Sequence, residues 1–276
     1  MKKKNLIWKI FVYTLLTLGA GFMLFPLLWM VSVSLMTLVE VETAGIWWPS
    51  TPQWSNYIET FATLPFGRWT WNTFIITMST IIGALISNTL VAYGFARFRA
   101  KGRNVLFMVV LATMMLPSTV TMIPLFIIFR DLGWVNTFRP LIVPAFFGNA
   151  FFIFLLRQFF MGLPTELEDA AKIDGLGTIG ILTRIMLPLI LPALTTVAIF
   201  QFNDAWNDFM GPLIYLNRPE TFTLALGINF FRGQNVVQWN FLMVASLVSM
   251  LPSLIIFFVG QKYFIEGISV SSGVKG

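Results

Sequence analysis

The sequence contains no cysteine and no histidine, and only 11% of its 276 residues are charged. Without cysteine there is no disulfide framework, thiolate metal site or thiol nucleophile. Without histidine the chain lacks the commonest general base and the commonest metal ligand. No lysine is both preceded by glycine and followed by serine or threonine, so the phosphate loop of common nucleotide hydrolases is missing too. The chain cannot hydrolyse ATP by that route. The scarcity of charge comes with an excess of apolar residues: 57% are hydrophobic, including 29 Phe and 10 Trp. Soluble domains average about 25% charged and about 45–50% apolar. Both departures point to an integral membrane protein.

A helix needs about 20 apolar residues to cross about 30 Å of hydrocarbon. Six stretches are long enough, at roughly 10–36, 72–95, 105–129, 140–160, 186–206 and 239–263. They are continuously apolar rather than alternating, which argues against a β-barrel. Lys2, Lys3 and Lys4 ahead of the first run resemble the start of a signal peptide. The run is too long for one and no small-residue cleavage site follows, so a retained first span is expected. The whole chain, 1–276, reads as a single transmembrane domain.

Basic residues orient the spans. Lys2, Lys3, Lys4, Lys9, Arg97, Arg99, Lys101, Arg103, Arg157, Lys172, Arg184, Lys262 and Lys275 fall on one side, and Arg68, Arg130, Arg139, Arg218 and Arg232 on the other. Both termini are therefore expected in the cytoplasm. The formal net charge of +6 is a topology signal rather than a nucleic-acid footprint. Trp47, Trp48, Trp54, Trp69, Trp71, Trp134 and Trp239 lie in the opposite loops, where indoles suit the headgroup belt. Segment 37–70 is the longest of these loops and a candidate docking surface for an outside partner.

The loop GLPTELEDAAKIDGLGTIGILTRIMLPLILP (162–192) is not a plain connector. Thr165 and Glu168 have capping-box spacing, which predicts a helix from Glu166. Glu166, Glu168 and Asp169 then occupy its first turns, where the helix dipole favours negative charge. Leu167, Ala170, Ala171 and Asp174 share one side, and Gly175 is placed to end the helix in a left-handed cap. A second short helix is predicted from Thr178 to Arg184, ended by Leu187-Pro188. Amphipathic connectors that lie on membranes are usually basic. This helix is acid-tipped and small-faced, which suits docking to a basic protein partner.

The run from Asp169 through Ala170, Ala171 and Gly175 to Ile185, Leu187 and Pro188 resembles the EAA loop of binding-protein-dependent ABC importer permeases, E-A-A-x-x-x-G-x(9)-I-x-L-P. It departs once, with Asp169 in place of the glutamate. IPLFIIFRDLGWVNT (123–137), FFIFLLRQFFMGLPTELEDAAKIDG (151–175), AWNDFMGPLIYL (205–216) and QKYFIEGISVSSGVKG (261–276) resemble the carbohydrate-type, maltose-like second permeases. The resemblance implies an all-α, six-span type I importer fold in the bacterial cytoplasmic membrane. It implies a homologous second permease, two ATPase subunits that bind ATP and Mg, and an extracytoplasmic binding protein that delivers a sugar. No cofactor, metal or nucleic acid is expected on this chain, and no catalysis. The ATPase-coupling residues would be Glu168, Asp169, Ala170, Ala171, Asp174 and Gly175, with Asp169 and Glu168 making the charged contacts. Residues 269–276 would touch the ATPase interface.

Polar side chains inside a span are costly and mark candidate paths. The densest group is Gln201, Asn203, Asp204, Trp206, Asn207 and Asp208, with Asn88 and Asn149 elsewhere. Planar polar groups beside aromatic rings suit a carbohydrate; the same residues also suit a helix end facing water. Met114, Met115 and Pro117 would allow a kinked gate in the third span. Two other readings remain open: a permease for another polar solute such as glycerol phosphate or a peptide, and an ion-coupled transporter using Asp204 and Asp208.

Overall fold

The computed structural model describes residues 2–43, 45–232 and 237–271, with side chains for 8–43, 45–229, 231–232 and 237–261. The described residues are all-α, with no strand among them. Four helical stretches are long and apolar enough to span a membrane: Trp8–Ser34, Phe66–Arg97, Arg139–Gly162 and Trp239–Gln261. Two bent pairs raise the number to six if each pair is one span.

The chain forms two compact units. One holds the described residues of 1–66 and 228–251. It contains α1 (Lys2–Ser34), α2 (Leu38–Glu42), α3 (Ser55–Thr63) and the first part of the long last helix (Trp239–Ser271). The apolar window of α1 buries none of its residues, as expected of a helix whose surroundings are lipid or another chain. Buried Asn56 of α3 donates to the carbonyls of Ser34 and Met36, both at 2.9 Å, and ties that segment to the end of α1.

The other unit holds 67–227 and the described residues from 252 onward. Its axis is α4 (Phe66–Arg97), followed by α5 (Arg103–Ala112), α6 (Ser118–Asp131), α7 (Arg139–Ile142) and α8 (Ala150–Gly162). Next come α9 (Glu166–Ile173), α10 (Thr178–Ile181), α11 (Leu187–Leu189), α12 (Leu191–Trp206), α13 (Met210–Tyr215) and α14 (Leu224–Ile228); the last helix is α15. Near the start of α4, Trp69 donates to the carbonyl of Pro219 at 2.8 Å. Asn72 donates to the carbonyls of Glu220 and Phe222, and the Thr73 hydroxyl accepts the N–H of Leu224.

Two expected spans are not continuous. The third, read as 105–129, bends by 97° between Met115 and Ser118. Pro117 forces Leu116 into extended backbone (φ −80°, ψ 115°) and offers no N–H, so the helix restarts at Ser118. Met114 and Met115 lie in the 3-10 turn just ahead of that corner. The fifth, read as 186–206, bends by 79° at Ile190. The expected stop at Leu187-Pro188 is not one either. A wide π turn over Leu182–Met186 lets the Leu187 N–H reach the Leu182 carbonyl, and the helix passes Pro188 to end at Leu189. Trp69 is not a headgroup anchor but is buried, because its ring packs into this unit and its N–H is used internally. Trp47, Trp48, Trp54 and Trp71 are exposed.

Candidate functional site

The loop that follows α8 folds around a short, firmly ended helix. α9 begins at Glu166, but the Thr165 side chain makes no capping bond. The expected capping box is absent because Glu168 is drawn the other way. Its carboxylate lies 3.0 Å from the Arg97 Nε, and both side chains are largely buried. Arg97 is the last residue of α4, and its Nη2 also donates to the Leu163 carbonyl at 2.8 Å. At the other end of α9 the expected left-handed cap forms. Gly175 has φ +82° and donates to the Lys172 carbonyl at 3.0 Å, and Leu176 donates to the Ala171 carbonyl at 2.9 Å. This reciprocal pair is a Schellman motif.

The two faces of α9 differ from the sequence expectation. Glu168 and Ala171 face inward and are its buried residues. Ala171 joins an apolar cluster with Tyr93, Phe160, Ile181, Leu182 and Met186, against which Leu163, Leu176, Ile185 and Leu187 also pack. Glu168 and Ala171 are thus not on the outer surface, because the ion pair and the apolar cluster hold that stripe against the chain's own helices. Asp169, Ala170, Lys172, Ile173, Asp174 and Gly175 remain exposed. Asp169 pairs with Lys172 at 3.0 Å across solvent, a contact worth only a few tenths of a kcal/mol. Ile173 is 87% exposed and Ile179 is 78% exposed. Neither was singled out by the sequence, since an isoleucine in an apolar chain carries no warning that it will be bare.

The polar residues in and just beyond the fifth span divide by task. Gln201, Asp204 and Asp208 line a hollow of about 280 Å³ with Ile76, Thr80, Leu141, Ala205, Pro212 and Thr223. The Asp208 carboxylate accepts the Gly211 N–H at 3.0 Å. Burial pushes its pKa above the usual carboxylate range; the Gly211 and Met210 N–H groups oppose the rise, and the nearby charge of Asp204 adds to it. Asn203 donates to the Ile199 carbonyl and Asn207 to the Asn203 carbonyl, each one turn back. Trp206 is buried and stacks on Phe202 at 5.3 Å. Asn88 and Asn149 come together elsewhere. The Asn88 side-chain oxygen accepts the Asn149 N–H at 2.6 Å, and the Asn149 side chain caps α8 by accepting from Phe151 and Phe152. Thr80 and Thr223 in the hollow, and Arg97 beside α9, escaped the sequence reading. A threonine in an apolar helix is common, and a terminal arginine reads as a topology charge. The expected contacts of 269–276 lie outside the described side chains. No group of three or more acidic residues placed to hold a metal occurs among the described residues.

Residues 88–270 match the family model for the binding-protein-dependent transport system inner membrane component. The chain belongs to this family. It is 36% identical over 271 residues to the arabinooligosaccharides transport system permease protein AraQ of Halalkalibacterium halodurans, covering 95% of this chain and 96% of that one. It is 31% identical to the lactose transport system permease protein LacG of Rhizobium radiobacter, covering 92% and 93%. Among solved structures, a chain of a bacterial ABC transporter that imports the acidic polysaccharide alginate superposes with a TM-score of 0.84 at 26% identity, covering 95% of this chain and 98% of that one. In this permease family member, 162–188 is the segment that carries the E-A-A-like run, and the structure presents it as a helix with one face bound and one face free.

Proposed function

We propose that this permease forms half of the membrane pathway of an ATP-driven importer for a sugar or oligosaccharide. A homologous permease supplies the other half. An extracytoplasmic binding protein delivers the solute, and two ATPase subunits bind ATP and Mg on the cytoplasmic side, where both termini and the 162–188 loop lie. The observation that carries the coupling role is the free face of α9: an exposed acid, Asp169, beside the bare Ile173, with Ile179 on the following helix. Ile173 lies outside every candidate span, so its exposure leaves an unspent apolar surface, and an acidic tip fits a cleft with basic walls. The substrate class is supported by full-length similarity to permeases for arabinooligosaccharides and lactose. In the hollow, Gln201, Thr80 and Thr223 suit hydroxyls, and the carboxylates of Asp204 and Asp208 favour a neutral sugar over an anion.

ATP binding and the docked binding protein bias one equilibrium between inward- and outward-facing states, so each must strengthen the other. The test is uptake into proteoliposomes holding the full complex. Labelled oligosaccharide should accumulate only with internal ATP and external binding protein. Accumulation driven by a pH gradient alone would replace this reading with an ion-coupled one.

A further inference from the structure

We propose that Arg97 is a positioning residue that fastens the coupling helix α9 to α4, making α4 the rod that carries motion between the ATPase side and the hollow. The proposal rests on the importer reading above and names how force leaves the loop. α9 enters through Pro164 and leaves through Gly175 and Gly177, so its covalent connections are turns rather than continuous helix. Its inward contacts come from two buried residues, Glu168 and Ala171. Ala171 contributes a single methyl group. The remaining hold is the Glu168 carboxylate on Arg97 at 3.0 Å. The same guanidinium takes the Leu163 carbonyl at 2.8 Å, at the C-terminal end of α8 where the helix dipole is negative. One side chain thus grips the end of one helix and the inner face of the next.

The rod is unbroken. α4 runs from Phe66 to Arg97 as one helix, with Thr80 in the hollow and Arg97 in the clamp. Those two residues are separated by roughly 25 Å of continuous helix. The other route from the loop to the hollow passes through α11 and α12, which meet at a 79° bend. A displacement of α9 is therefore transmitted stiffly along α4 and is dissipated at the Ile190 corner. The pair is buried, so salt screens it little.

The absence of cysteine permits clean double labelling. Spin labels at the exposed Glu166→Cys and Ala100→Cys, in the assembled complex in nanodiscs, report the separation of α9 from the end of α4. With Arg97 intact the distance distribution should be narrow and unchanged by ATP. With Arg97→Gln it should broaden, the ATPase should still co-purify, and binding-protein-stimulated hydrolysis should fall roughly tenfold toward the basal rate. The exchange Arg97→Glu with Glu168→Arg should restore both readouts, which also decides the matter if Arg97→Gln does not assemble. An ATP-dependent shift in the intact protein, full stimulation in Arg97→Gln, or an exchange variant that restores neither readout would overturn the proposal. Wild-type complex that shows no ATP-driven uptake would overturn the importer reading instead.

Discussion

The Asn88 side-chain oxygen accepts the backbone N–H of Asn149 at 2.6 Å, joining residues 61 apart in sequence. Asn88 is fully buried, and its amide donates back to the Ala84 carbonyl. The bond fixes the chain where Gly148 turns at φ +89° into α8. Asn88→Ala would leave the Asn149 N–H without its acceptor, at a cost of about 1–3 kcal/mol. The melting temperature of the purified complex should drop, while binding of sugar to the complex should persist in the fraction that remains folded. A loss of sugar binding with no loss of stability would instead place Asn88 in the path.

Gly227 sits against the face of Trp69, and a methyl group added there would overlap the indole ring. The ring cannot step aside, because it is 1% exposed and its N–H is committed to Pro219. Gly227→Ala is expected to cost about 1–3 kcal/mol through overpacking. Pairing it with Trp69→Phe, which shrinks the ring and removes the bond, should cost less than the two single changes added together. Additive losses in thermal unfolding would mean the two sites do not share space.

Two Thr-x-x-Glu runs occur in the sequence, Thr37–Glu40 and Thr165–Glu168, and they behave differently. At Thr37 the reciprocal capping box forms; at Thr165 it does not. The local pattern is the same, and the outcome is decided by Arg97, which is 71 positions away from Glu168 and buried beside it. That contrast shows what was legible. Four long apolar helices, the start of α9 at Glu166 and the Gly175 cap depend on neighbours in sequence, and they were readable. The bends at Pro117 and Ile190, the inward turn of Glu168 and the burial of Trp69 depend on what packs against each residue. The hollow was half legible: Gln201, Asp204 and Asp208 stood out as polar residues near a span end, but Thr80 and Thr223 arrive from other segments.

Asp169→Lys and Ile173→Asp alter the free face of α9 without touching its bound face. Each should change stability by no more than about 0.5 kcal/mol, since both side chains are exposed and the Asp169–Lys172 pair is solvated. Each should sharply reduce co-purification of the ATPase and abolish stimulated hydrolysis. Glu168→Gln, on the bound face, should leave co-purification intact. Wild-type recovery of the ATPase by Asp169→Lys and Ile173→Asp would remove the docking role from this face.

Glu40 gathers donors from both ends of the segment it closes. Its carboxylate accepts the Thr37 N–H and hydroxyl and the Ser50 N–H at 2.9, 3.1 and 3.0 Å, and it also takes the Ser50 hydroxyl. The Ser50 hydroxyl first, then the Thr37 and Ser50 N–H groups, lower its pKa from 4.5 to about 2. The closed form therefore binds the ionised acid more favourably than the open form does. The contribution is complete above pH 4.5 and drains away as pH falls toward 2. Protection of the Thr37 and Ser50 amides from hydrogen exchange, corrected for intrinsic rates, should decline over that interval. Glu40→Gln should show lower protection at pH 6 and almost no dependence on pH. If the variant kept the wild-type decline, another acid would have to be responsible, and Glu42, two residues on, would be the next to change.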